Sequence, residues 1–300
     1  MSSRRPIFHI GANKAGSTTL QQALFVNHPE VLSLGKPGYM TDPGDAGQAV
    51  DAIRDACEVG AVKVGEPIRK LWRRALDQAP ERVPVYSHEE LIRTRYYPAS
   101  DPSRMPRAIV EMAGPVRVVI VTRHQIDLLE SLYIHKANIS TYLPPDRWLA
   151  ANADWISTFR FHEVANAWAS AVGEENVGVF LFEELARDTA SFAARLANFI
   201  GVDAEIATKL LSHQHKNARK SRRTQAYVKL RSTLLPRASL GGWLPEGLRN
   251  AWRGYLDGGA PSKESLPEEW VATIRDGYRG DNRKLAERFQ LPLEKYKYPL

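Results

Sequence analysis

Four short runs rich in β-branched and aromatic residues, Ile7–Ile10, Val83–Tyr86, Val116–Thr122 and Val177–Leu181, are each bounded by glycine, proline or polar residues. Runs of that length and make-up are buried strands. Helical periodicity lies between them, over Thr18–Asn27, Glu66–Gln78, Ile126–Asn138, Ile156–Val172 and Thr189–Ile200. Strands alternating with helices build βαβ units. The pattern predicts an α/β fold: a P-loop-like parallel β-sheet flanked by helices on both faces, with a helical, basic C-terminal part. Gly35–Gly47 and Pro98–Pro106 carry the glycine, proline and aspartate of loops. No shift in composition marks a boundary, so residues 1–300 read as a single domain.

With 43% hydrophobic residues in 300, the chain can bury a large core, which excludes intrinsic disorder. The seven tryptophans are scattered and read as core positions. One cysteine, Cys57, excludes a disulfide within the chain and a cysteine-rich zinc site. No apolar stretch approaches the ~20 residues that a membrane span requires. No apolar leader follows Met1, so the expectation is a cytoplasmic protein with no membrane span.

The formal net charge is +7, and it is local. Between Ile206 and Pro245 lie nine lysines and arginines and no acidic residue; taking these nine from +7 leaves −2 for the remainder. A concentrated basic segment points to an anionic ligand nearby, or to a solvated basic helix.

The first strand runs into Gly11-Ala12-Asn13-Lys14-Ala15-Gly16-Ser17-Thr18-Thr19, which opens a helix. A glycine-containing loop between strand and helix aims backbone N–H groups and the positive end of the helix at a bound anion. Gly11 and Gly16 keep the spacing of a Walker A loop, but Ser17 stands where its lysine belongs, and the lysine, Lys14, lies inside the loop. Such a loop cradles phosphate without the lysine that grips the β- and γ-phosphates of ATP. The plainer alternative is a βα turn with an ordinary Ser/Thr cap. Arg123 ends the strand Val116–Thr122, at the edge where open α/β sheets bind ligands, and Ser131 lies two helical turns on. A guanidinium and a hydroxyl converging there could hold a second phosphate; alternatively they are a surface arginine and a helix-face serine.

Together the two loops resemble the sulfotransferases that use 3′-phosphoadenosine 5′-phosphosulfate (PAPS), in their bacterial form. The family's first loop, P-K-[ST]-G-[ST]-[ST], is matched by Asn13-Lys14-Ala15-Gly16-Ser17-Thr18, and its second, R-x-P-x-D-x-x-x-S, by Arg123, Asp127 and Ser131. Phe182-Glu183-Glu184-Leu185 is similar to the family's Y-E-D-L turn. The C-terminal stretch from Asp281-Asn282-Arg283 to Tyr298-Pro299 is similar to bacterial members. Asn13 and Ile126 replace prolines and Ala15 a hydroxyl residue; none of these positions supplies charge.

The resemblance implies transfer of a sulfuryl group from PAPS to the hydroxyl of an acceptor, such as a carbohydrate, a lipid or a small natural product, with no metal and no nucleic acid. It implies donor contacts from Lys14, Ala15, Gly16, Ser17, Thr18, Thr19, Arg123 and Ser131. Arg219 and Lys220, in the basic segment, fall about where relatives cover the nucleotide with a basic loop. Transfer also needs a base for the acceptor's proton. The strand Val83–Tyr86 ends in Ser87-His88-Glu89-Glu90, which is similar to the Ser-x-Glu at this place in bacterial relatives. Glu89 is preferred, as a carboxyl that burial or Glu90 would have to tune, while His88 titrates near neutrality unaided. Two other readings remain open: a P-loop nucleotide or small-molecule kinase, and a non-catalytic basic protein that binds nucleic acid through 206–245. His213 and His215 alternate as on a strand and have no third ligand nearby, so they are not a metal pair. Oligomeric state is not legible.

Overall fold

The computed structural model describes residues 4–35, 44–60, 63–93, 96–139, 143–153, 158–213, 247–248, 255 and 266–300. The chain forms two compact units: one from Met1–His124, Ser157–Gln214 and Tyr278–Leu300, the other from Gln125–Ile156 and His215–Gly277.

The first unit holds the sheet. Its strands are β1 (Ile7–Gly11), β2 (Val31–Ser33), β3 (Val83–Ser87), β4 (Arg117–Thr122) and β5 (Val177–Leu181), in the order β2-β3-β1-β4-β5 and all parallel. β1, flanked by β3 and β4, is buried at every position. Parallel strands covered on both faces need apolar residues throughout rather than alternation.

The helices of this unit form two groups. One contains α1, which begins as Ser17–Thr19 and continues with wider π-helical turns over Leu20–Phe25; the wider stretch shows in Val26 N–H donating to the Gln21 carbonyl (3.2 Å). Later in the chain α8 (Phe182–Arg187), α9 (Thr189–Ile200) and α10 (Ala204–Ser212) join it. The other group is α2 (Gly44–Glu58), α3 (Glu66–Leu76), α4 (Arg104–Ala113) and α7 (Phe161–Val172). Adjacent residues of β1 separate the two faces, because successive strand side chains point oppositely. Phe8 stacks on Trp72 of α3 and Trp168 of α7, with ring centroids 5.4 and 6.4 Å away. His9 meets Phe25 of α1 edge-on at 5.4 Å.

Local sequence sets the helix ends. Asp188 accepts from Ser191 N–H to cap α9, Asp203 accepts from Ile206 N–H to cap α10, and Gly201 ends α9 at φ 82°. The long polar helix α11 (Glu268–Phe289) passes from the second unit into the first. In the first unit Asp281 caps α7, accepting from His162 and Glu163 N–H at 3.0 and 3.2 Å.

Among its described residues the second unit includes α5 (Gln125–Ile139), α6 (Pro145–Ala151) and the start of α11. Tyr133 joins α5 to the stretch before α6, donating to the Leu143 carbonyl (3.0 Å) and packing edge-on against Trp148 (5.5 Å). No helix among the described residues is long and apolar enough to cross a membrane.

Fold class follows the sequence, whereas several elements differ from it. Gly44–Gly47, expected as loop, begins α2, because Ala46, Ala49, Val50, Ile53 and Cys57 fall on one buried stripe against α3 and α4. Tertiary packing overrides the weak propensity of the two glycines there. Arg104–Pro106 likewise begins α4. β2 is three residues long and leaves no pattern to detect. α11 is rich in charge, and its buried positions, Ile274, Tyr278, Asp281, Asn282 and Leu285, include only three apolar residues. Of the helix expected over Ile156–Val172, Phe161–Val172 is helical, and residues 156 and 157 lie outside the described residues. The basic segment, apart from residues 206–213, lies outside the described residues.

Candidate active site

All five strands run the same way, so the ends of β1, β3 and β4 open on one edge of the sheet. The pairing sets their offsets: Gly11 is opposite Val121, and His9 is opposite Ser87. The loop after β1, the turn after β3 and Arg123 therefore share that edge.

The β1 loop is a backbone construction. Gly16 has φ 84°, and a Cβ there would lie 2.8 Å from Leu185 Cδ2 and 3.2 Å from the Phe182 ring. Only glycine meets both constraints. Lys14 also sits in the left-handed region, at φ 69°. For a lysine this is uncommon, and such conformations gather at functional sites. No side chain caps the helix that starts after Gly16. Its first-turn amides, on Ser17, Thr18 and Thr19, have no partner within the helix, an arrangement that suits an anion. The side chain of Ser17 points inward: it is buried, and its hydroxyl donates to the Ala12 carbonyl at 3.4 Å.

Arg123 braces this loop. Its guanidinium donates to the Lys14 carbonyl at 2.5 Å and lies over the Phe182 ring at 4.6 Å. Only 8% of the residue is exposed. Ser131 is on α5, in the second unit. Arg219 and Lys220 lie outside the described residues.

The β3 end is built from side chains. Glu89 opens the short 3₁₀ turn Glu89–Ile92. Burial holds its carboxyl above the ordinary carboxylate range, against the hydrogen bond from Gln21 and the positive charge of Lys14, which pull it down. Gln21 Nε2 donates to Glu89 Oε1 at 3.4 Å and to Ser87 Oγ at 2.9 Å. Ser87 Oγ is 2.7 Å from His9 Nδ1. A carboxylate can only accept, and this orients the row: the Gln21 amide donates both ways, and the Ser87 hydroxyl donates to His9 Nδ1. His9 is then the neutral Nε2–H tautomer. Complete burial agrees, holding its pKa down at about 3. His9 Nε2 meets no hydrogen-bonding partner among the described residues.

His88 and Glu90 are engaged differently. His88 Nδ1 accepts from Glu90 N–H at 3.1 Å, capping the 3₁₀ turn, and its ring stacks on Tyr86. Glu90 is paired with Arg93 at 3.0 Å, and its pKa is lowered against the opposing effect of burial.

The structure thus brings Lys14, Gly16, Arg123 and Glu89 to one sheet edge. Sequence reasoning missed His9 and Gln21, and gave Ser87 only as part of the Ser-x-Glu match. The available signal was a polar residue inside an apolar strand, His9 in Ile7–Gly11, since buried polar groups require partners.

The fold has known counterparts. A sulfotransferase from Alicyclobacillus acidocaldarius superposes with a TM-score of 0.59 at 14% identity, covering 98% of this chain and 99% of that one. The sulfotransferase domain of the Synechococcus PCC 7002 olefin synthase aligns at TM-score 0.45 and 12% identity, over 92% of this chain and 96% of the other. Mouse sulfotransferase SULT7A1, complexed with PAP, aligns at 0.42 and 14%, over 84% and 82%. These two looser likenesses add nothing to the first, which shows a shared fold. None of the curated proteins matches the sequence. A family model described as the sulfotransferase domain matches residues 4–280, and the chain belongs to that sulfotransferase family.

Proposed function

We propose that this chain moves a sulfuryl group from PAPS to an acceptor hydroxyl by in-line displacement, with Glu89 as general base and Lys14 as the cation that stabilises the leaving group. The observation that carries the reading is the placement of Lys14. Its carbonyl is held by Arg123, and its charge acts on Glu89. The cation and the base therefore lie at the same sheet edge. The donor supplies an activated sulfuryl group, bonded through oxygen to a phosphate.

Glu89 takes the proton from the acceptor hydroxyl while the acceptor oxygen forms its bond to sulfur. The bond between sulfur and the bridging oxygen breaks, and its electron pair leaves on the phosphate. Lys14 Nζ and the amides of Gly16, Ser17, Thr18 and Thr19 meet that growing negative charge. Desolvation makes Glu89 a stronger base than an exposed carboxylate. His88 is the lesser candidate because its Nδ1 is occupied in capping.

Arg123 and Ser131 are the residues proposed for the 3′-phosphate, with Arg219 and Lys220 as further donor-binding candidates. The acceptor is a hydroxyl of a carbohydrate, lipid or small natural product. A reducing, cytoplasmic setting suits the single thiol, Cys57, which is buried and held at a pKa of about 11. The kinase reading is disfavoured by Ser17, which replaces the Walker lysine and is turned inward onto Ala12.

The test is a panel of hydroxyl acceptors incubated with PAPS labelled in its sulfate, in EDTA. Label appearing on one acceptor class supports the reading. Transfer from ATP and magnesium with none from PAPS overturns it.

A further inference from the structure

The last residues of the chain return to the turn that carries Arg123. Tyr298 donates its hydroxyl to Glu183 Oε2 at 2.9 Å, and the same oxygen of Tyr298 is 3.3 Å from Thr122 Oγ1. The other oxygen of Glu183 accepts from the backbone N–H of His124 at 2.9 Å. The His124 ring donates through Nε2 to the carbonyl of Lys297 at 2.9 Å and packs edge-on against Tyr298 at 5.5 Å. Arg123 is thus gripped on both sides, at Thr122 and at His124, by groups more than fifty positions away in the chain. The tail is itself anchored: Asn282 of α11 donates to the Pro299 carbonyl at 2.9 Å, and Arg187 lies over the Tyr296 ring.

These contacts are buried and close on one another. Thr122, Tyr298 and Glu183 are each less than a tenth exposed. Burial and the neighbouring Glu183 carboxylate push the Tyr298 hydroxyl well above its ordinary pKa, so it stays a neutral donor. The β5–α8 junction contributes twice over: Phe182 lies under the Arg123 guanidinium, and Glu183 holds the backbone of the next residue, His124. A core of this size could be filled by apolar side chains at lower desolvation cost. A hydrogen-bonded ring fixes one geometry where packing alone tolerates several.

We propose that Tyr298 and Glu183 are positioning residues for donor binding: through the Thr122 hydroxyl and the His124 N–H they hold the chain on both sides of Arg123, so the C-terminal segment is part of the nucleotide site. This rests on the reading of Arg123 as a donor-binding residue.

The experiment is a double-mutant cycle of Tyr298→Phe and Arg123→Ala, read as affinity for adenosine 3′,5′-bisphosphate and as KM for donor and for acceptor. Tyr298→Phe is expected to weaken bisphosphate binding and raise donor KM by about tenfold, with acceptor KM unchanged. In the Arg123→Ala background the same change is expected to add almost nothing, because the residue it positions is gone. An equal loss in both backgrounds, or unchanged affinity in a folded Tyr298→Phe protein, overturns the proposal. Should Tyr298→Phe fail to fold, His124→Ala, at a half-buried ring, removes the ring's contacts to Lys297 and Tyr298 and keeps the backbone N–H that Glu183 accepts. It is expected to lower affinity in the same Arg123-dependent way, and unchanged affinity there overturns the proposal too. An Arg123→Ala protein that binds the bisphosphate as well as wild type instead overturns the reading of Arg123, and the inference with it.

Discussion

The ends of β1 and β3 are neighbours in the sheet, with His9 opposite Ser87, yet they are built by opposite means. At the β1 end the chemistry comes from backbone: left-handed turns at Lys14 and Gly16, uncapped amides at a helix start, and a guanidinium on a carbonyl. At the β3 end it comes from a row of side chains, His9, Ser87, Gln21 and Glu89, contributed by three separate segments. The difference follows from the task. Charge that grows on a leaving group is stabilised by donors already fixed in place. A carboxyl that must accept a proton near neutrality needs removal from water.

The largest expected effect breaks the β3 end alone. Glu89→Gln keeps shape and hydrogen bonding but cannot take a proton, and kcat is expected to fall by about 10²–10⁴-fold. Bisphosphate affinity, measured by calorimetry, is expected to stay at the wild-type value. In wild type, kcat should rise with pH through the raised pKa of Glu89, since only the ionised form is a base. A flat profile from mildly acidic to mildly alkaline pH, with chemistry rate-limiting, contradicts the assignment.

Breaking the β1 end should give a different signature. Arg123→Ala is expected to cost about 2–5 kcal/mol of donor affinity, because it removes one partner of a charge-assisted contact. Lys14→Ala should lower kcat more than affinity, as its charge matters most when the bridging oxygen becomes negative. Loss of affinity alone in Lys14→Ala, with turnover intact, would reduce Lys14 to a binding residue.

How much of each end is legible in sequence follows from the same contrast. Backbone sites are coded by spacing, so Gly11, Lys14, Gly16 and Arg123 stand out in a single chain. Their structural reasons are local: a positive φ at Gly16 and a Cβ that would strike Leu185. The β3 row is coded by contacts across 66 and 78 positions, which no local pattern records. Gln21 appears in sequence as one more helical residue, and the π-helical turn that begins beside it leaves no pattern of its own. The same holds for the fold: β3, β4 and β5 are apolar runs and were readable, whereas α2 shows its buried stripe only against α3 and α4, and α11 has too few apolar residues to give a helical period. Ser131 matched the spacing of a known pattern, yet spacing alone says nothing of where a residue in the second unit lies.

Two smaller effects sharpen the account of the row. His9 is held at about pH 3, below its ordinary 6.5, so the unfolded chain binds a proton that the folded one refuses. This stability is fully present above pH 6.5 and is lost as pH falls toward 3, with about 2 kcal/mol gone by pH 5. Urea denaturation at pH 7.5 and pH 5 should show the loss, and His9→Asn should reduce it. Equal pH dependence in both proteins would mean that His9 is not the titrating group. The smallest effect belongs to Gln21→Met, which removes a hydrogen bond that favours the ionised carboxylate. The rising limb of the kcat profile should then move to higher pH, by up to about one unit. A shift to lower pH would place Gln21 on the protonated form instead.

On the proposed reading the β1 end serves a donor that carries phosphate groups at the 3′ and 5′ positions, and its binding is the most direct measurement. Adenosine 3′,5′-bisphosphate titrated in EDTA should raise the melting temperature progressively, with about 2.7 kcal/mol of stabilisation at a hundredfold excess over Kd. ATP with magnesium should do less, and the bisphosphate response should shrink in Arg123→Ala. A larger stabilisation by ATP with magnesium, or a response to the bisphosphate untouched by Arg123→Ala, would contradict the account.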